Sequence, residues 1–225
     1  MLNSKNFHLR TLSLAIAATL AFASTAAFTP RAFAQDDTST GQHRFSVVGG
    51  YAHIVPKSNP SGTVLGSTAA LDGSGAPTLS GSWYINDNFA IELWGAADRF
   101  EHDVNLANGS RGTIKQQPVA LSGQYHFGAP GKTIRPFVGL GYYQSNINGE
   151  QFDPALTGDR HVGFGTPNGP IATAGVDFNI TDRWFTRADA RYMQGDAEVK
   201  LAGTETGEEV QLDPWTVGVG VGVRF

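Results

Sequence analysis

The chain has 225 residues, with 16 Lys and Arg against 20 Asp and Glu, and no Cys. An acidic balance without a basic run argues against a nucleic-acid partner, and the lack of Cys excludes a disulfide framework and thiolate chemistry. Beyond the N-terminal segment no stretch reaches the ~18 consecutive apolar residues of a membrane helix, so a membrane location would demand a closed barrel.

Residues 1–34 read as a cleaved export signal rather than as a retained anchor. Lys5 and Arg10 supply positive charge, residues 12–28 are apolar with Ala, Ser and Thr interspersed, and Ala32-Phe33-Ala34 offers small residues at a cleavage site. Gln35 is then the expected mature N-terminus, with Ala21-Phe22-Ala23 as a second candidate site. The 191 residues from 35 to 225 form a single domain carrying a net charge of −7.

Eight strand-like stretches follow, near 42–56, 77–85, 89–100, 113–127, 134–145, 170–180, 184–200 and 210–225. Connectors at 86–88, 128–133 and 181–183 are short and rich in Asn, Asp, Gly and Pro, the composition of tight turns. The connectors at 57–76, 101–112, 146–169 and 201–209 are longer and polar, and read as loops. Three turns on one rim and four loops on the other predict an all-β fold, an eight-stranded antiparallel up-and-down transmembrane β-barrel. Both termini then lie on the turn side, which would be periplasmic, with the long loops extracellular.

The turns also predict register. Around residues 86–88, Ile85 should pair with Phe89, Trp83 with Ile91 and Ser82 with Glu92, while Leu79 should meet Ile or Leu across the ladder. At 128–133, Phe127 should pair with Ile134, His126 with Arg135, Tyr125 with Pro136 and Leu121 with Leu140. At 181–183, Asp177 should oppose Arg187, Gly175 oppose Asp189, and Thr173 oppose Arg191. Each hairpin sorts into one apolar and one polar face. Pro118 and Pro136 fall inside these strands and require a bulge or an open stretch of ladder.

The last strand shows the pattern most clearly. From Trp215 to Phe225, odd positions carry Trp, Val and a terminal Phe, and even positions carry Thr, Gly and Arg. A terminal aromatic on the apolar face is the ending of a bacterial outer-membrane barrel. Aromatic placement separates this reading from a soluble barrel with an apolar interior. Phe225, Trp184, Phe89 and Phe127 lie near the turn rim, and Trp215, Tyr192 and Tyr142 lie eight to ten residues further along the same faces. At about 3.3 Å per residue and a tilt near ~40°, two girdles are separated by roughly 20–25 Å of height.

The inward face is expected to hold Glu92, Asp98, Arg135, Asp177, Arg187, Asp189, Arg191 and Arg224 as a structural ion-pair lattice filling a narrow lumen. Trp94, Phe137 and Tyr143 also face inward and are candidates for an apolar ligand pocket, with Tyr84 more plausible as filler. Catalysis finds little support. Ser122 and His126 share a face, but four residues of strand put them about 13 Å apart. No nucleophile elbow, phosphate loop or zinc spacing occurs, so no cofactor or metal is expected. Glu205, Glu208 and Glu209 could hold a divalent ion beside lipopolysaccharide, although a solvated loop tip accounts for them better.

Three separated motifs carry a family resemblance. They are Leu212-Asp213-Pro214-Trp215 leading to Arg224-Phe225, Asp87-Asn88 leading to Glu92-Leu93, and Arg135-Pro136 with Val138-Gly139-Leu140-Gly141. In this order they resemble the OmpW family of eight-stranded outer-membrane barrels, which includes the alkane-uptake AlkL proteins. The similarity is weakest in the loops 57–76 and 146–169. The resemblance implies a passive channel or receptor for small hydrophobic molecules, surrounded by outer-membrane lipid and lipopolysaccharide, releasing its solute sideways into the hydrocarbon layer. A structural or adhesive barrel without transport is the alternative.

Overall fold

The computed structural model describes residues 43–56, 62–152, 160–211 and 213–225. The expected export signal lies outside the described residues, as do 57–61 and 153–159 of two expected loops. The described chain alternates its side chains through β1 (Phe45–Val55), β2 (Gly62–Val64), β3 (Ser67–Leu71), β4 (Ser74–Tyr84), β5 (Phe89–Ala96), β6 (Phe100–Leu106) and β7 (Arg111–His126). It continues through β8 (Ile134–Phe152), β9 (Val162–Phe164), β10 (Asn168–Asn179), β11 (Trp184–Met193), β12 (Asp196–Leu201), β13 (Thr204–Gln211) and β14 (Trp215–Arg224).

Eight of these strands, β1, β4, β5, β7, β8, β10, β11 and β14, form a closed antiparallel barrel. The ends meet where β1 pairs with β14 from Ser46↔Arg224 to Val55↔Trp215. Phe45 and Phe225 extend that seam, exchanging N–H···O bonds of 3.0 and 2.9 Å. Closure satisfies the backbone without leaving an edge, which a bilayer requires.

The faces sort as the period of two demands. Phe45, Trp83, Phe89, Phe127, Trp184 and Phe225 are exposed near the turns. Tyr51, Tyr142 and Trp215 are exposed towards the other rim, and Val217, Val219, Val221, Val138 and Leu140 are exposed between the two bands. The opposite faces bury Glu92, Gln124, His126, Arg135, Asp177, Arg187, Arg191 and Thr216. An apolar exterior around a polar interior inverts the order of a soluble barrel and matches lipid as the solvent.

Two hairpins carry the expected register: Trp83↔Ile91 and Ser82↔Glu92 in one, Asp177↔Arg187 and Thr173↔Arg191 in the other. Leu79 pairs with Gly95 rather than with a branched residue. The hairpin at 128–133 differs by two residues, pairing His126 with Phe137, Tyr125 with Val138 and Leu121 with Tyr142. The loop closes wider because residues 129–132 form their own turn, with Lys132 N–H on the Ala129 carbonyl. Asn179 Nδ2 holds the Pro130 and Lys132 carbonyls from the neighbouring strand. A slip of two leaves every side chain on its original face, so the sorting of faces is blind to it.

The prolines occupy gaps in the ladder. Pro136 sits on the last rung, where its carbonyl accepts from Phe127 N–H. Pro118 lies where β7 changes partners, between Gly95↔Val119 of the β5 pairing and Phe100↔Gln116 of the β6 pairing. By register, Pro118 faces Ala96 and offers it no donor. Gln117 Nε2 binds the Ala96 carbonyl instead, at 3.2 Å.

The four expected loops are largely strand. Residues 62–64, 67–71, 74–76, 100–106, 111–112, 146–152, 162–164, 168–169 and 204–209 are all extended. They build an extension beyond the barrel in which β7, β6, β3, β2, β13, β12 and β9 pair in that order. Its core is Val64, Leu71, Val104, Leu106, Ile114, Val199 and Val210 with their small neighbours. The reason is visible in β6, where Phe100, His102, Val104 and Leu106 are buried and Glu101, Asp103 and Asn105 are exposed. Charged outward residues lower the mean hydropathy to that of a loop while the alternation persists.

Candidate functional site

The turn-side half of the lumen is a network of charges. Glu92, wholly buried, accepts from Arg187 Nη1 at 2.9 Å, Arg191 Nη1 at 2.7 Å and Gln124 Nε2 at 2.7 Å. Asp177 takes Arg187 in a two-pronged grip, Nε at 2.7 Å and Nη2 at 3.0 Å, and meets Arg224 Nη2 at 3.4 Å. Asp189 accepts from Arg191 Nε at 2.8 Å. Arg135 donates to the Asp87 carbonyl at the turn rim.

Aromatic rings complete the packing of the cations. Arg187 lies 4.5 Å from the Phe137 ring, Arg224 4.0 Å from Phe185 and Arg191 4.6 Å from Trp94. Phe137 also stacks on His126 at 5.0 Å. Glu92 and Asp177 persist as charges this far from water because planar guanidinium forks pair and hydrogen-bond them, whereas Arg135 meets a backbone carbonyl instead of a carboxylate. A cavity of about 10 Å³, room for about one water, lies beside the network, lined by Gly50, Thr78, Ser80, Trp94, Asp189 and Gly220 among others.

Above the charges the interior turns apolar. Ile54, Trp94, Ala96, Phe100, Tyr143, Ile171 and Met193 form one buried cluster with Ala52, Ala76 and Ala120. Trp94, Ala120 and Tyr143 occupy the same rung across β5, β7 and β8. The missing rung at Ala96 and Pro118 lies beside this cluster, which contains Ala96 itself and Phe100, the first residue of β6.

The inward residues expected from sequence therefore fall into two groups. Glu92, Arg135, Asp177, Arg187, Asp189, Arg191 and Arg224 all line the turn-side half. Trp94 and Tyr143 share the apolar cluster. Phe137 does not join them, because it lies six residues from Tyr143 on one strand, about 20 Å away; it packs under Arg187 in the charged half. Asp98 is exposed in the bend after β5, where its carboxylate caps the Arg99 N–H at 2.7 Å. Tyr84 fills space beside His126, with ring centroids 5.3 Å apart. Ser122 is buried and its hydroxyl has no hydrogen-bond partner.

The acidic trio of the extension is spread over different contacts. Glu208 accepts from the Leu65 and Gly66 N–H groups at 2.5 and 2.6 Å. Both residues have positive φ, 49° and 76°, which aims successive N–H groups at one carboxylate. Glu205 faces Lys200 at 3.7 Å. Sequence reasoning passed over Gln124, Phe185 and the buried pair His102 and Gln116. Their signal was the continuing alternation.

Comparison with known proteins places this architecture. The profile of the OmpW family matches residues 42–225. Outer membrane protein W of Salmonella typhi is 31% identical over 188 residues, covering 80% of this chain and 88% of that protein. The crystal structure of OprG from Pseudomonas aeruginosa superposes with a TM-score of 0.72 at 21% identity, covering 82% of this chain and 96% of that one. The solution structure of outer membrane protein W from E. coli gives a TM-score of 0.57 at 25% identity, covering 82% and 98%.

Proposed function

The chain belongs to the OmpW family of outer-membrane barrels, and from that premise we propose that it is a passive conduit or receptor for small hydrophobic molecules. The outer membrane is its location. In this reading the termini and tight turns face the periplasm, and the extension faces outward among lipopolysaccharide. The observation that carries the reading is the apolar cluster of Trp94, Phe100, Tyr143 and Met193 lying directly behind the break in the barrel wall at Pro118. A solute entering from the extension would meet apolar side chains first and the charged network below them. The charged network closes the way down, so exit runs sideways through the break into the hydrocarbon layer.

Uptake of an apolar solute by proteoliposomes, with a polar solute as leak control, tests this. Trp94→Arg should abolish the protein-dependent uptake, because it places a charge where the solute must shed its water. Trp94→Ala should lower uptake while leaving the barrel folded. Pro118→Ala restores an N–H opposite the Ala96 carbonyl, and should reduce uptake while raising the unfolding temperature. Native protein that admits apolar solutes no faster than empty vesicles do would leave the structural or adhesive barrel as the better account.

A further inference from the structure

Between the apolar cluster of the barrel and the apolar core of the extension lies a thin polar layer. It consists of His102 on β6, Gln116 on β7 and Ser145 on β8, each exposed by 2% or less. Gln116 pairs with Phe100 and Ile147, His102 with Ile114, and Pro118 with Ser145. His102 and Ser145 therefore stand on the two diagonals of Gln116, at the ~7–8 Å spacing of such neighbours.

Chemistry fixes what the layer offers. His102 Nδ1 lies 2.8 Å from the Asp72 carbonyl. A carbonyl only accepts, so Nδ1 carries the proton. Burial pushes the imidazole below its ordinary pKa, so the ring is neutral and Nε2 presents a lone pair. Gln116 sits beside the ring without its amide reaching hydrogen-bond geometry with Nε2. His102 Nε2, Gln116 Nε2 and Ser145 Oγ are all buried without a hydrogen-bond partner. An acceptor, a donor and a hydroxyl thus lie in one buried layer between two apolar cores.

We infer that this layer recognises the hydroxyl of a neutral long-chain alcohol, whose apolar tail lies against either flanking core. The inference rests on the conduit reading above and names its solute class. A hydroxyl donates to His102 Nε2 and accepts from Gln116, using both orphaned groups at once. A ketone only accepts and leaves Nε2 unserved. An alkane leaves the whole layer unserved, and a carboxylate would set its charge against the imidazole lone pair after losing its hydration.

The test is calorimetric titration of the native barrel in lipid nanodiscs with 1-decanol, decane and decanoate. Native protein should bind 1-decanol about tenfold more tightly than decane, the value of a satisfied buried polar pair. His102→Leu and Gln116→Leu should each erase most of that preference, since a layer made apolar no longer favours the alcohol over decane. The native protein supplies a readout independent of any variant. The His102 Nε2 nitrogen resonance should move when 1-decanol is added and stay fixed with decane. Equal binding of the two solutes to native protein, or a preference unchanged in both variants, overturns the inference. That result would be what a resident water in the layer produces. Vesicle uptake of decane reads the conduit separately, so conduction without alcohol preference leaves the function standing and removes only this assignment.

Discussion

On the turn side of the lumen one carboxylate, Glu92, holds two guanidinium groups and an amide. On the loop side the polar groups of Tyr143, Ser145, Gln116 and His102 carry no such charges and lie among apolar side chains. The two regions share a wall, strands and alternation, yet they resist opening for different reasons. Separating the charges would strand ions in a low dielectric, so the network behaves as one rigid plug. The loop side is held by apolar packing behind a wall that already lacks a rung at Pro118. In the proposed conduit it is the half that parts to admit a solute. Under that proposal closure belongs to one half of the lumen and recognition to the other.

Removing Glu92 is the strongest way to break this contrast. Glu92→Ala leaves Arg187 and Arg191 buried with fewer counter-charges, and should cost about 3–5 kcal/mol of barrel stability. The urea midpoint of the membrane-inserted protein reports it. Loss of under about 1 kcal/mol would mean that water already bathes the network and that it is no plug.

A smaller effect should separate the extension from the barrel by pH. Burial depresses the folded-state pKa of His102 from its ordinary 6.5, and the Asp72 carbonyl and the Gln116 side chain offset this only in part. The unfolded extension therefore binds an extra proton as pH falls through that value. Stability is full above about 6.5 and is lost progressively below it. Hydrogen exchange should show β6 amides opening in mild acid, and His102→Gln should remove that opening. Acid opening of β6 that persists in His102→Gln would contradict the assignment to His102.

The smallest change sharpens the picture of the extension itself. Glu208→Ala removes the acceptor for the Leu65 and Gly66 N–H groups and should cost about 1–2 kcal/mol, felt locally. Faster exchange confined to β2 and β3, with the barrel unaffected, is the expected outcome. Val210↔Gly62 is the only paired rung between β2 and β13 among the described residues, so little else holds that seam.

What the sequence determined by itself is whatever depends on parity and on short loops. Alternation assigned Glu92, Asp177, Arg187 and Trp94 to the interior and Val217, Val219 and Phe225 to the lipid face, because a strand turns each residue over relative to the last. Two tight turns set two registers, since few residues can close them in few ways. The same parity hid the two-residue slip between Tyr125 and Val138, which changes height without changing face. Tertiary structure alone decided the rest. Arg187 and Arg191 reach Glu92 across 95 and 99 residues of chain, and Gln124 reaches it across 32. No periodicity encodes which inward side chains meet at one height across a closed barrel. The extension depended on the same kind of distant pairing, β3 with β6 and β13 with β2, and its strands bury an apolar face only once those partners arrive from other loops.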